Sequence, residues 1–361
     1  MITAIRVKNF KSFKDFKLEG LDKFTCIIGL NGSGKSTFLE VLEWIGRLAH
    51  GEEWFWLLQD KSDFLSFGSP SGTQIEFTIS FQDSIVWEAA FDVKKGKLTF
   101  ERIMNHGEVV LSSENLRLDS VEGARPATHG SLLAHWSFDP NSPADIVKKG
   151  LQSLKNLGLL SPALLCERSG QNEQAIYGGG RGFAGFLSTF PLKDRNKLLE
   201  DLHRFYPDMD YYSKRTQGGG KYLRFKESGN DFSSKNANDG LLRTLAILSQ
   251  RHTSHNLVLF DEIENGFNQE LIEKLVNELL NFNGKQVIIT THSAGVINYL
   301  PDETARRSVI LFYKDGQGYT QATRFFEIPE ISELLEIMGP GQVMSRTNLE
   351  KLSVKLSTAR E

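Results

Sequence analysis

The fold is decided by residues 26–37, which run Cys26-Ile27-Ile28-Gly29-Leu30-Asn31-Gly32-Ser33-Gly34-Lys35-Ser36-Thr37. They fit the phosphate-binding pattern G-x-x-x-x-G-K-[ST], which needs a strand before the loop and a helix after it. Residues 24–28 are a short run of β-formers, and residues 38–45 carry apolar side chains at helical spacing. Both neighbours have the required character, so the sequence predicts a phosphate-binding loop in a strand–loop–helix unit.

This loop predicts a nucleotide site built largely from backbone groups. N–H groups of a glycine-rich turn at a helix N-terminus hold phosphate oxygens, helped by the positive end of the helix dipole. We expect Lys35 to reach the β- and γ-phosphates as a catalytic residue and Ser36 to ligate Mg²⁺ through its hydroxyl. The nucleotide-binding residues predicted from this stretch are Asn31, Gly32, Ser33, Gly34, Lys35, Ser36 and Thr37.

A second element with chemical character is the run Leu257-Val258-Leu259-Phe260-Asp261-Glu262. Four apolar residues followed by two acids predict a central parallel strand whose carboxyl end opens on a ligand site. We expect Asp261 to bind Mg²⁺ through water and Glu262 to orient and deprotonate the attacking water.

A third element is the run Ile288-Ile289-Thr290-Thr291-His292-Ser293, which predicts a strand that ends on a histidine. A single histidine after a strand has two interpretations, a structural residue or a contact to the γ-phosphate. We favour the phosphate contact for His292, because its strand is the next one along the chain after the acidic pair.

The composition is that of an ordinary globular chain. Its 361 residues are 40% hydrophobic and 24% charged, the mean hydropathy is −0.30, and the net charge is −3. These values exclude a strongly basic chain whose charge alone would indicate nucleic-acid binding, although a local basic groove stays open. The two cysteines, Cys26 and Cys166, favour a reducing cytoplasm over a disulfide framework. No apolar run reaches the roughly 18 residues of a membrane-spanning helix, and residues 1–6 lack a signal-peptide layout.

The pattern along the chain predicts four segments. They are residues 1–112, an N-terminal lobe with the phosphate loop and an antiparallel β meander; 113–231, an insertion; 232–324, a C-terminal lobe; and 325–361, a tail. The insertion is predicted to contain helices over 143–157, a mobile glycine-rich loop over 169–185 and a hairpin over 209–225. Strands and helices alternate in the C-terminal lobe, which predicts a mostly parallel sheet flanked by helices.

The three runs together resemble the Walker A, Walker B and His-switch motifs of ABC-type ATPases. The opening run, Ile5-Arg6-Val7-Lys8-Asn9-Phe10-Lys11-Ser12-Phe13, resembles the SMC/RecF-like branch of that family. Asp261-Glu262-Ile263-Glu264-Asn265-Gly266-Phe267 resembles the Walker B and D-loop run of bacterial stand-alone ATPases of the overcoming-lysogenization-defect and antiphage-defence groups. The resemblance covers about residues 1–50 and 232–315 and leaves the middle third unmatched.

Asn238-Asp239-Gly240 occupies the place of the family's signature motif, which contacts the nucleotide. The family's usual serine is replaced by Asn238, so an amide would face the γ-phosphate. The alternative is an ordinary Asn/Asp helix cap. For the Q-loop glutamine there are two candidates, Gln59 and Gln82, and the sequence does not decide between them.

The resemblance implies an α/β fold: a P-loop NTPase of the ABC/SMC-head type, with a mostly parallel sheet, an antiparallel β meander and a helical insertion. It implies ATP and Mg²⁺ as cofactors. It also implies a homodimer, or a larger oligomer, in which two heads sandwich two nucleotides and each site combines the Walker motifs of one head with the signature motif of the other. One head alone would be a poor catalyst, since the γ-phosphate would lack half of its donors.

Three biological roles compete at this point. The first is an ATPase that dimerises on ATP and gates a separate effector, such as a nuclease, in a bacterial antiphage-defence or toxin module. The second is a RecF-like clamp that binds DNA. Its basic surface would comprise Lys148, Lys149, Arg181, Lys193, Arg195, Lys214, Arg215 and Lys221. The third, a transporter ATPase, is disfavoured by the opening strand and the Asn-Asp-Gly signature.

Overall fold

A six-stranded sheet of mainly parallel strands carries the phosphate-binding loop in the computed structural model, which describes residues 1–52, 62–70, 72–113, 131–282 and 284–358. Only the edge strand β15 (Thr320–Arg324) is antiparallel to its neighbour. Across the sheet the strands are β15 (Thr320–Arg324), β14 (Val309–Lys314), β3 (Phe24–Gly29), β13 (Gln286–Thr290), β12 (Leu257–Phe260) and β8 (Leu154–Asn156).

Alternation along these strands divides the core into two layers, because successive side chains of a strand point to opposite faces. Ile27 of β3 faces helix α1 (Lys35–His50) and the antiparallel sheet described next, and Cys26 and Ile28 face the layer of C-terminal helices. Both faces of the sheet are covered, which explains why β3, β12 and β13 consist of continuous buried runs.

The second sheet is a six-stranded antiparallel meander, larger than the three strands predicted between residues 74 and 103. Its order is β2 (Phe13–Glu19), β1 (Ile2–Phe10), β4 (Gln74–Phe81), β5 (Ile85–Asp92), β6 (Lys97–Asn105) and β7 (Glu108–Ser112). The sheet packs on α1 through Trp44, whose ring contacts Phe10, Phe77 and Phe91. The predicted fold class is therefore confirmed: a mostly parallel sheet with an antiparallel meander.

The segment 113–231 differs from its prediction in two places. Helix α3 (Pro143–Gln152) ends before residue 154, and residues 154–156 form β8, which pairs in parallel with β12. Residues 169–185, predicted as a glycine-rich loop, include the start of α5 (Phe183–Leu187), and several of their glycines are closely packed; their mobility stays a prediction. A Cβ on Gly185, for example, would lie 2.1 Å from the carbonyl oxygen of Glu173. The four segment boundaries themselves stay a prediction.

The hairpin predicted over 209–225 is present and gains a third strand. Strands β9 (Met209–Arg215), β10 (Lys221–Glu227) and β11 (Asn230–Ser233) form a small antiparallel sheet. Ten further α-helices lie in the described part of the chain. They are α2 (Leu132–His135), α4 (Pro162–Leu165), α6 (Leu192–His203), α7 (Asp239–Ser249), α8 (Gln269–Leu280), α9 (Ala294–Asn298), α10 (Asp302–Ser308), α11 (Pro329–Leu335), α12 (Pro340–Arg346) and α13 (Leu349–Thr358).

The predicted tail packs onto the core of the molecule. Phe325 and Phe326 are fully buried, and Gly341 of α12 lies so close to α9 that a Cβ there would be 2.5 Å from Cβ of Asn298. Both cysteines are free, as expected. Among the described residues, no helix combines the length and the apolar character needed to cross a membrane.

Candidate functional site

The phosphate-binding loop ends at the N-terminus of α1, which no side chain caps. The first-turn N–H groups of an uncapped helix are free to bind an anion. Gly34 at this terminus has φ of 107°, and a Cβ there would lie 2.4 Å from Oγ1 of Thr320. Thr320 is itself held by bonds to the Ser33 carbonyl oxygen at 2.8 Å and to Oγ of Ser12 at 2.8 Å. Only glycine therefore fits at position 34.

Lys35 is directed back into the loop and is only 6% exposed. Its Nζ donates to the carbonyl oxygens of Gly29 at 3.0 Å and Leu30 at 3.1 Å. An ammonium group has three protons, so one donor stays free for a phosphate oxygen. Burial lowers the pKa of Lys35, and the nearby carboxylates of Asp261 and Glu262 oppose that change. A phosphate that binds beside Lys35 would therefore offset the cost of burying its charge.

Asp261 joins the loop to the acidic strand end. Ser36 Oγ donates to Asp261 Oδ2 at 2.9 Å, and Thr290 Oγ1 donates to Asp261 Oδ1. The same Thr290 oxygen accepts a bond from the backbone N–H of Glu262 at 2.9 Å. The hydroxyl and carboxylate oxygens of Ser36 and Asp261 are the hard ligands that Mg²⁺ prefers, so this pair fits the predicted metal role.

Glu262 has a backbone conformation that non-glycine residues rarely adopt, with φ of 47°. Strained backbone of this kind persists only where its surroundings fix it, and here the bond to Thr290 does so. The sheet order explains the proximity, because β13 lies between the loop strand β3 and the acidic strand β12. The carboxyl ends of all three strands therefore meet at one edge.

Glu264 is a residue of this site to which the sequence analysis assigned no role. Its Oε1 accepts the backbone N–H of His292 at 2.7 Å, and its Oε2 accepts the hydroxyl of Thr291 at 2.8 Å. The signal was present as a third acid after the strand. A chain of acids at a helix or loop start is nevertheless more often solvated than bonded, so spacing alone did not identify it.

A cleft of ≈ 280 Å³ collects most of the predicted residues. The predicted residues that line it are Asn31, Gly32, Gly34, Lys35, Ser36, Thr37, Asp261, Glu262 and His292. Ser33 is not on its surface: this side chain is buried behind the loop.

Three further cleft residues, Lys11, Ser12 and Lys314, were not predicted as site residues. Lys11 and Ser12 follow strand β1, and Lys314 ends β14, which neighbours the loop strand. Strand ends at the ligand edge of a parallel sheet were a usable signal for Lys314. Burial lowers the pKa of Lys314, whose Nζ donates to Oγ1 of Thr320 at 3.0 Å.

The predicted signature residues, Asn238, Asp239 and Gly240, do not line this cleft. They begin helix α7, where Asn238 is the N-cap and accepts the backbone N–H of Leu241 at 2.7 Å. The capping interpretation is thus realised in the fold. These three residues could contact a nucleotide only if another molecule binds it.

Of the two Q-loop candidates, only Gln82 is described, and it does not line the cleft. Gln59 lies outside the described residues. Gln82 is exposed in the turn after β4, where its N–H donates to the carbonyl oxygen of Met1 at 3.1 Å. The aromatic run over 54–58 also lies outside the described residues.

A phosphate loop on a central strand, an acidic strand end and a histidine loop share one edge of the parallel sheet. Together with the antiparallel sheet that contains β1, they give the chain the fold of SMC/RecF-like, ABC-type ATPase heads. Two sequence families match it. The family described as "AAA ATPase domain" matches residues 1–119, and "AAA domain, putative AbiEii toxin, Type IV TA system" matches residues 172–298.

Individual proteins are also similar to this chain. An ATP/GTP phosphatase of Helicobacter pylori is 24% identical over 343 residues, which cover 83% of this chain and 87% of that protein. A chromosome partition protein Smc of Methanococcus voltae is 56% identical over 39 residues, 11% of this chain and 3% of that protein. A crystal structure of an SmcHead bound to the C-winged helix domain of ScpA shares the fold. It has 17% identity and a TM-score of 0.55, and the match covers 89% of this chain and 97% of that one.

Proposed function

We propose that the chain binds ATP with Mg²⁺ in this cleft and hydrolyses it to ADP and phosphate. The observation that carries the proposal is the bonded path from Ser36 of the phosphate loop through Asp261 and Thr290 to the backbone of Glu262. This path joins the group that would hold the metal to the group that would orient water. The Helicobacter phosphatase and the two ATPase families support the same chemistry.

Each residue has a role in this mechanism. The free N–H groups of α1 and the third donor of Lys35 bind the β- and γ-phosphates. Ser36 and Asp261 would hold Mg²⁺, which when bound neutralises phosphate charge. Glu262 orients the attacking water and accepts its proton, while His292 donates to the γ-phosphate.

We further propose that hydrolysis needs a second copy of the chain. Asn238, Asp239 and Gly240 are absent from the chain's own cleft, and the start of α7 is a helix N-terminus of the kind that binds anions. If each α7 faced the partner's γ-phosphate, two ATP molecules would hold the dimer and hydrolysis would release it.

Light scattering tests both proposals. We expect the wild-type mass to double with Mg-ATP and to return as ATP is consumed, and Glu262→Gln to stay doubled. Lys35→Ala should bind no nucleotide and keep one mass, and the exposed Glu273→Gln is the matched control. Normal phosphate release by Glu262→Gln would remove Glu262 from its proposed role. A mass that ignores nucleotide in every variant would rule out the sandwich.

The cellular role that we propose is control of a separate effector in a bacterial antiphage-defence or toxin module of the cytoplasm. It is supported by the D-loop resemblance and by the toxin–antitoxin description of the family that matches residues 172–298. Tagged Glu262→Gln with ATP and tagged Lys35→Ala should capture different partner sets, because the two variants are fixed in opposite nucleotide states. Identical sets would contradict gating by ATP.

DNA is the second candidate partner, favoured by one surface. Arg215 and Lys221 are cross-strand neighbours in β9 and β10, and neither forms an ion pair with a described carboxylate. Two other members of the predicted basic set are paired with carboxylates, Lys149 with Asp145 and Arg181 with Glu167. Arg215→Glu should weaken duplex DNA binding and reduce its salt dependence. The exposed Lys94→Glu is the control, and equal effects of the two changes would contradict this surface.

A further inference from the structure

Glu264 joins two loops that carry the chemistry of the cleft. It follows the acidic pair by two residues, and its carboxylate accepts from the N–H of His292 and the hydroxyl of Thr291. Both of its oxygens are therefore used on the loop that bears His292. Hydrogen bonds to a charged acceptor are about twice as strong as neutral ones, so this connection is a strong constraint.

The two loops are tied at further points. The N–H of Ile263 donates to the carbonyl oxygen of Thr290 at 3.1 Å, and the N–H of Glu262 donates to Thr290 Oγ1 at 2.9 Å. These bonds fix the backbone of Glu262 and the end of β13, but they stop at Thr290. After Thr290, the N–H of Thr291 donates to the carbonyl oxygen of Ile27, and the N–H of His292 donates to the carboxylate of Glu264.

The side chain of His292 is exposed in the cleft and forms no hydrogen bond to a described side chain, so its backbone sets its position. We propose that Glu264 is a positioning residue: through the backbone of His292 it holds that side chain at the γ-phosphate, in fixed relation to Glu262. The inference rests on the proposed ATPase function.

The backbone of Glu264 also contacts the segment that packs against the start of α7. The N–H of Phe267 donates to the backbone carbonyl oxygen of Glu264 at 3.2 Å, and a Cβ on Gly240 would lie 3.2 Å from the carbonyl oxygen of Gly266. Glu264 thus lies between the start of α7 and the histidine loop.

A double-mutant cycle between Glu264 and His292 tests the inference. The variants are Glu264→Gln, His292→Ala and the double variant, with phosphate release measured with enzyme in excess over ATP. The glutamine keeps the size of the side chain but has one acceptor oxygen instead of two. We expect each single change to lower the hydrolysis rate by roughly 10- to 100-fold, as a misplacement of about 1 Å does. The double variant should match His292→Ala.

Two measurements separate positioning from general damage. The Kd for Mg-ATP should stay within about threefold of wild type in Glu264→Gln, since neither bond of the Glu264 carboxylate reaches the phosphate loop. Glu264→Asp keeps the charge but shortens the side chain, and it should also lose rate at unchanged Kd. Glu273→Gln is the surface control and should lose nothing.

The outcomes are distinguishable. A double variant whose rate loss is the product of the two single losses overturns the inference and leaves the proposed function intact. A rate loss by Glu264→Gln that comes entirely with weaker ATP binding also overturns it. A wild-type protein that releases no phosphate, alone or as a dimer, overturns the proposed function together with the inference that rests on it.

Discussion

Replacement of Thr290 by valine isolates the bond network that joins the two acids. The Thr290 side chain is fully buried; its hydroxyl donates to Asp261 Oδ1 and accepts the N–H of Glu262. Valine has the same shape without the hydroxyl, so packing is kept and only these two bonds are lost.

The size of the effect follows from the two lost partners. A hydrogen bond to a charged group contributes about 1.5–3 kcal/mol, and an orphaned buried donor costs about 1–3 kcal/mol. Asp261 and Glu262 are only half-buried, so water recovers part of both terms. We therefore expect Thr290→Val to lower the free energy of unfolding by about 2–4 kcal/mol.

Thr25 is the matched control. It lies on the neighbouring strand β3, directly opposite Ile288, and its hydroxyl is buried with no hydrogen-bond partner among the described residues. Thr25→Val should be neutral or stabilising by about 1 kcal/mol, since it removes an unpaired buried polar group. Urea unfolding without nucleotide compares the two. Equal free-energy changes for Thr290→Val and Thr25→Val would refute the reasoning.

Four other predictions concern single residues. Gly34→Ala should abolish Mg-ATP binding, measured by calorimetry, because its Cβ would meet a fixed hydroxyl 2.4 Å away. Burial and nearby cations lower the pKa of His255 to about 4. The chain should therefore lose about 2 kcal/mol of unfolding free energy between pH 6.5 and pH 4.5, and His255→Gln should remove that loss. Arg243, buried with Nε and Nη1 unpartnered among the described residues, should raise the melting temperature when replaced by methionine. Asn238→Asp should leave the fold intact but prevent the ATP-dependent dimer in light scattering.

The sign of the pH prediction comes from the direction of the pKa change. Unfolded His255 takes up a proton below about pH 6.5, and the folded chain resists that proton until about pH 4, so acid favours the unfolded state across this window. A wild-type profile as flat as that of His255→Gln would contradict it.

For Gly34→Ala, the control is Gly32→Ala, where a Cβ meets nothing within 4 Å. Equal loss of Mg-ATP binding by the two variants would mean that backbone strain, not the clash, is responsible. A lower melting temperature for Arg243→Met would show that the guanidinium has a stabilising partner.

Local rules were enough to predict most of the residues that gather in the cleft. The loop over residues 29–36 and the acidic end of β12 each combine a strict spacing with a strand that is apolar on both faces, so the motif and its context agree. His292 was the weakest of these predictions, because one histidine after a strand has no distinguishing pattern. Its place at the cleft depends on β13 lying between β3 and β12, which is a property of the sheet order.

What the sequence did not reveal depends on partners that are distant along the chain. Strand β8 has three residues, too few for any periodicity, and it exists because β12 offers it a parallel edge. Lys314 reaches the cleft only because β14 pairs with β3. The glycines over 169–185 predict mobility when taken alone, but in the fold several of them are sites of close packing. In each case tertiary contact decided what local composition left open.

The two helix N-termini of the proposed mechanism differ in a way that bears on Asn238. Helix α1 has no cap and leaves its first N–H groups to the phosphates, whereas at α7 the Asn238 oxygen accepts the N–H of Leu241. An asparagine that caps through its oxygen still has the two N–H donors of its amide. A serine in the same position would cap through its oxygen and donate its single proton. The replacement therefore keeps both functions that a signature residue needs, and aspartate, which caps equally well but donates nothing, is the substitution that separates them.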